Sequence, residues 1–161
     1  MAVMKILFIT NLFYPDRAGG AAVHSDFCYR LQAMGHDVQV HAAYPYYPEW
    51  KNKTEANLWR RKAEVVNGIP VLRHGLHLPK RLDTTMGRVL QEITFFFSLL
   101  RSVFRGGRPD VVVAICPLMP AVAYAWLVAK LNRAKLWLNI EDIMSEAAQP
   151  LYARRPAYYI S

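Results

Sequence analysis

The stretch "KILFITNLFYPDRAGGAAVH", Lys5 to His24, decides the fold. Its opening "KILFIT" is an apolar, β-branched run bounded by Asn11 and Pro15, the pattern of a strand buried on both faces. From Ala21 to Met34 the residues Val23, Phe27, Leu31 and Met34 recur at helical spacing, and Gly35 supplies a stop before "HDVQVHAA", the next strand. This is one strand-helix-strand unit of about thirty residues. The adjacent pair Gly19-Gly20 falls where its strand hands over to its helix.

Working outward, the same alternation continues. "YPYYPEW", Tyr44 to Trp50, reads as a loop by its prolines and is dense in aromatic rings. Asn67-Gly68 between "AEVV" and "IPVLRHG" signals a hairpin with a type I′ turn. Residues Asp83 to Phe104 are expected to form a long helix. "RPDVVVAIC" gives a buried strand, "LMPAVAYAWLVAKL" a helix apolar on most sides with Met119 and Trp126 in the core, and "KLWLNI" a further buried strand. The expected fold class is α/β, a Rossmann-like parallel sheet with helices on both faces and right-handed crossovers. Ligands of such sheets bind beyond the carboxyl ends of the strands where strand order reverses. That places a crevice between Asn11 to Gly20, Cys116 to Pro120, and Glu141-Asp142.

The 161 residues suffice for one domain with a core and are too few for two ordinary ones. Lys and Arg number 20 against 12 Asp and Glu, a net charge of +8, which favours an anionic partner: nucleic acid, a phosphate-bearing substrate or an anionic membrane surface. Cys28 and Cys116 stand far apart with no metal-binding spacing, which argues against a disulfide framework or a zinc site and fits a reducing cytoplasm. The apolar start "MAVMKILFITNLFYP" lacks a cleavage site, and apolar runs fall short of the roughly 18 residues that span a bilayer.

Backbone N–H groups at Gly19 and Gly20, at the positive end of a helix, suit an anion. The stretch matches neither a dinucleotide fingerprint nor a P-loop, so turning the chain remains an equal reading. Asp16 and Arg17 in the same loop are candidates to grip a polar substrate, against simple solvation. His24 is read either as facing the crevice or as a partly exposed helix residue without a chemical task. Tyr46, Tyr47 and Trp50 suit stacking on a sugar ring, or plugging the loop against the core. Cys116 reads as a small buried residue rather than a nucleophile. On the long helix, Phe95, Phe96 and Phe97 cannot all face one side, and Lys80, Arg81, Arg88, Arg101, Arg105 and Arg108 outnumber Asp83 and Glu92. That pattern suits a helix in the headgroup plane of an anionic leaflet, each cation contributing about 1 kcal/mol; the alternative is that Phe95 to Phe97 pack on the sheet while the arginines are solvated. Without a basic-aromatic strand motif or a recognition helix, nucleic acid is not an expected partner.

"KILFITNLFYPDRAGGAAVH", "GHDVQVHAAYPYYPEW", "RPDVVVAICPL" and "LWLNIEDIMSEAA" together resemble the N-terminal half of family-4 glycosyltransferases of the GT-B fold, in the branch that builds bacterial surface polysaccharides. The resemblance implies a single GT-B N-terminal-type domain over residues 1–149 and a tail or truncation point at 150–161. It implies retaining transfer of a sugar from a nucleotide diphosphate sugar, a substrate rather than a cofactor, to an acceptor often carried on a membrane polyprenyl lipid. By the same resemblance Gly19, Gly20 and Asp142 lie at the reacting centre, while Tyr46, Tyr47 and Trp50 face the acceptor. Glu141 stands where many relatives have histidine or glutamine. The family's second domain carries paired glutamates at a spacing this sequence does not contain, so the resemblance implies half an enzyme needing a C-terminal-half partner, cytoplasmic and peripheral at the inner face of the membrane. The alternative is a non-catalytic subunit that binds the acceptor or anchors a separate donor-binding chain.

Overall fold

The computed structural model describes residues 2–51, 59–79, 85–105, 107–116 and 118–141. Asp142, Lys80, Arg81, Asp83 and the tail at 150–161 lie outside the described residues. Strands β1 (Lys5–Thr10), β2 (Asp37–Ala43), β3 (Arg61–Val66), β4 (Ile69–His74), β5 (Val111–Cys116) and β6 (Lys135–Ile140) form one sheet in the order β3-β4-β2-β1-β5-β6. Helices α1 (Gly20–Ala33), α2 (Thr85–Leu100) and α3 (Met119–Asn132) connect them. All pairings are parallel except β3 with β4. That exception is the expected hairpin: Asn67 at φ 48° and Gly68 at φ 84° have the positive angles a type I′ turn demands.

Alternation along the central strands divides the core into two. Ile6, Phe8, Val113 and Ile115 face α1 with Cys28, whereas Leu7, Ile9, Val112 and Ala114 face α2 and α3 with Phe95, Leu99 and Tyr124. Helices therefore cover both faces, as expected of this fold. Each fully buried Leu, Ile or Phe contributes about 1.5–3 kcal/mol, so β1 and β5 anchor the sheet. Order reverses between β1 and β5, which puts the crevice where the sequence placed it.

Three packing expectations are corrected. The face of α1 turned inward carries Ala21, His24, Ser25 and Cys28, while Val23 and Met34 are exposed. Ser25 is held there by bonds rather than apolarity: its Oγ accepts from Tyr14 N at 2.9 Å and donates to Ala21 O at 2.7 Å. In α3 the inner face is Ala121, Tyr124, Ala125, Val128 and Ala129, its three alanines small enough to let the helix sit close to the sheet around the buried Tyr124. Met119 and Trp126 consequently point outward, the Lys130 ammonium lying 4.9 Å from the Trp126 ring centre. Among the described residues β6 is an edge strand, with Trp137, Leu138 and Ile140 exposed rather than buried. Finally, the helical part of the long basic segment ends at Leu100, and turns carry the chain on to Arg105.

Candidate substrate cleft

The cleft begins with two glycines that side chains would obstruct. Gly19 caps α1 at φ 60° and ψ −145°, a conformation essentially confined to glycine. A Cβ on Gly19 would lie 3.2 Å from Tyr47 Cε1. One on Gly20 would lie 2.7 Å from His24 Cε1 and 3.5 Å from Glu141 Oε2. Neither α1 nor α3 carries an acidic residue in its first turn, so no side chain of their own offsets the positive helix ends. Gly19 and Gly20 line a cleft of about 350 Å³ with His24, Tyr47, Leu118 and Glu141. Turning the chain and facing a ligand are thus combined in one loop.

His24 lines the cleft, as one of its two readings held, and the other reading, a partly exposed helix residue, is corrected. It is 3% exposed, with Nδ1 2.8 Å from Thr10 Oγ1 and Nε2 2.7 Å from Glu141 Oε1. A carboxylate only accepts, so the network assigns a proton to Nε2. Asn139 Nδ2 donates to the same oxygen at 3.3 Å, and Glu141 N donates to Cys116 O at 3.1 Å. One imidazole therefore ties the ends of β1 and β6 to the first turn of α1. Cys116, half-buried and free, contributes its backbone carbonyl to this lattice.

Asp16 also departs from expectation. It is 2% exposed, and its Oδ2 accepts from Tyr46 N at 3.0 Å and Tyr47 N at 3.1 Å. The carboxylate pins the aromatic loop to the glycine loop and is buried rather than solvated. Arg17 is exposed with its guanidinium 6.0 Å from the Tyr14 ring centre, and it does not line the cleft. Tyr46 is core: it is 1% exposed, Asn11 Nδ2 donates to its hydroxyl at 3.1 Å, and burial pushes the phenol well above its ordinary range. Tyr47 and Trp50 are half-buried, edge to face at 5.9 Å, Tyr47 over Gly19 and Trp50 in a neighbouring cavity.

That second cavity, about 280 Å³, is lined by Trp50, Leu76, Arg88, Gln91, Glu92 and Phe95, among others. It shares Asn11, Glu92 and Leu118 with the glycine cleft, so the two form one trough. Asn11 and Leu118 fall in the stretches expected to border the crevice, whereas Gln91 and Glu92 were missed as site residues. A signal existed: Arg88, Gln91, Glu92 and Phe95 follow helical spacing, which puts polar groups beside a core phenylalanine.

The phenylalanine run divides as helical geometry requires. Phe95 is 1% exposed and belongs to the core, Phe96 is half-buried, and Phe97 is exposed. Phe95 is thereby removed from any membrane surface. Met86, Leu90, Ile93 and Phe97 instead form an exposed apolar stripe on α2. Arg88, Arg101 and Arg105 are exposed around it, Arg101 lying 5.7 Å from the Trp59 ring centre and donating to Trp59 O. Among the described residues no helix is long and apolar enough to cross a membrane.

Two comparisons bear on identity. The model of the glycosyl transferase 4-like domain matches residues 18–160. The chain is also 31% identical over 148 residues to WcaI of Escherichia coli K12, a protein named for glycosyl transfer in colanic acid biosynthesis. That match covers 89% of this chain and 35% of the relative, so the chain spans about a third of the relative's length. With a mostly parallel Rossmann-like sheet of GT-B N-terminal type and a family match over most of its sequence, the chain belongs to the glycosyl transferase 4-like family.

Proposed function

We propose that this domain forms the acceptor-side half of a retaining glycosyltransferase, which moves a sugar from a nucleotide diphosphate sugar to a lipid-linked acceptor in surface-polysaccharide synthesis. The observation that carries this reading is the glycine loop. Two accessible glycines, one at φ 60°, open a helix whose first turn holds no acid, at the carboxyl end of the central strand. Amide hydrogens fixed in that position stabilise negative charge building on a departing diphosphate without reorganising during the reaction. Residues from the family's other half, on the same chain or a partner chain, would complete the donor site across this cleft.

The trough supports an acceptor reading on the same grounds. Tyr47 and Trp50 offer ring surfaces beside the amides of Asn11 and Gln91, the mixture of flat apolar and hydrogen-bonding groups that carbohydrate requires. An acceptor held on a lipid at the inner leaflet would be met by the α2 stripe and its arginines. The membrane partner is anionic by this reading, because the residues around the stripe are cationic.

Sugar transfer to a polyprenyl-linked acceptor in vesicles, measured with the donor-binding half present, tests the proposal. Gly19→Ala keeps the amide but cannot hold φ 60° and ψ −145° without strain, so it is expected to misplace that donor and cut turnover by about 100-fold. Unchanged turnover in a variant that still folds would sink the role assigned to the loop.

A further inference from the structure

We propose that Glu92 is the residue that selects the acceptor sugar, its carboxylate holding a hydroxyl of an uncharged glycosyl unit at the junction of the two cavities. The inference rests on the glycosyltransferase reading and deepens it. Glu92 lines both the glycine cleft and the Trp50 cavity, as do Asn11 and Leu118. A group bound at Glu92 therefore lies between the diphosphate-facing glycines and the aromatic compartment.

The two carboxylates of the trough are not equivalent. Glu141 Oε1 already receives His24 Nε2 and Asn139 Nδ2. Glu92 receives no hydrogen bond or ion pair from any described residue, and burial raises its carboxyl above the usual range. Glu92 is thus a half-buried carboxylate that no described residue engages. Sugar hydroxyls would supply the missing donors, and a charge-assisted bond of this kind is among the stronger neutral-ligand contacts. The same charge repels an anionic sugar. The surrounding groups agree with this choice: Trp50 gives a ring face, Gln91 lines the cavity, and Asn11 keeps its amide oxygen after its nitrogen has bonded to Tyr46.

The substrates are accordingly ordered along the trough. The diphosphate leaving group lies at Gly19 and Gly20, and the neutral acceptor sugar lies at Glu92 and Trp50. Arg88 lines the second cavity and not the glycine cleft, and is four residues before Glu92 on α2. A cation there suits the phosphate that joins an acceptor sugar to its lipid.

The test uses the intact chain with the methyl glycosides of glucose, galactose, fucose and glucuronic acid, followed by shifts of the Trp50 indole N–H. At least one neutral glycoside should bind, and methyl glucuronide should not. Glu92→Ala should weaken the neutral glycoside by about tenfold or more, as expected for losing a hydrogen bond to a charged group. Glu92→Gln should weaken it less and admit the glucuronide. Neither variant should lower the unfolding midpoint, because no described residue depends on the carboxylate. Neutral binding that is unchanged in both variants, or no glycoside binding to the wild-type chain, overturns the proposal. Millimolar uridine diphosphate, followed at the Gly19 and Gly20 amides, separates the two levels. Shifts there with failed glycoside results sink Glu92 alone; no shift there counts against the glycine cleft itself.

Discussion

At the scale of single residues, Gly20 and His24 are a matched pair: the imidazole occupies the space a side chain at residue 20 would need. The sequence exposed the glycine and hid the histidine. A glycine pair between a strand and a helix is a local pattern, whereas His24 gets its role from Glu141, 117 positions away. Its burial was also misjudged because the apolar stripe of Val23, Phe27, Leu31 and Met34 suggested the wrong inward face. Polar residues with fixed partners, His24 and Ser25, took that face instead. Asp16 was legible as a loop carboxylate but not as the acceptor for two backbone amides of another loop. His24→Ala removes the bonds to Thr10 and Glu141 and leaves the carboxylate with Asn139 as its side-chain donor. A loss of about 2–3 kcal/mol is expected in urea unfolding at pH 7. Glu141→Gln keeps an acceptor for Nε2 and should cost about 1 kcal/mol. Equal stability of His24→Ala and wild type would show that the imidazole is not the tie described here.

At the scale of elements, strand and helix positions followed from periodicity, and the hairpin followed from Asn67-Gly68. What periodicity left open was which side of an apolar helix the sheet would take. α3 is apolar nearly all round, and its alanines won the inner face because they allow close approach. α2 shows the opposite case, with one apolar face in the core and a second left outside. Phe95 and Leu99 fill the core while Met86, Leu90, Ile93 and Phe97 remain exposed, with arginines around them. An apolar stripe bounded by cations is the form of a helix that lies in an interface. Vesicles containing anionic lipid should therefore pellet the protein, and neutral vesicles should do so weakly. Replacing both Ile93 and Phe97 with serine should abolish most of that binding without lowering stability, since neither is among the buried residues. Replacing Arg101 and Arg105 with glutamine should weaken binding by about 1 kcal/mol for each charge lost. Pelleting that is indifferent to both pairs of changes would rule out α2 as the contact.

At the scale of the whole molecule, the side of the sheet covered by α2 and α3 encloses His41 and His74, each fully buried, with ring centres 5.2 Å apart. His41 Nδ1 lies 3.2 Å from the Tyr124 hydroxyl, and His74 Nδ1 donates to Ser98 O at 3.1 Å. Nε2 of each ring has no hydrogen-bond partner among the described residues. Burial lowers His41 to about 4, while burial and then the charge of its neighbour lower His74 to about 3. Both are neutral in the folded protein at pH 7, whereas in the unfolded chain each takes up a proton near its ordinary value of about 6.5. Unfolding therefore binds protons once the pH falls below about 6.5, and stability declines from there towards the folded values. Each histidine contributes a slope of up to about 1.4 kcal/mol per pH unit, so the pair can remove much of a stability of about 5–15 kcal/mol before pH 4. Glu64 adds to the loss only at lower pH: burial opposes its ionisation, but Arg73 and Lys62 together hold its carboxyl below the usual range. Chemical unfolding at several pH values should show stability falling steadily from pH 6.5 to 5, with a shallower slope in His41→Leu whatever that variant's absolute stability. A flat profile over that interval, or an identical slope in the variant, would mean that the sheet does not hold these rings neutral.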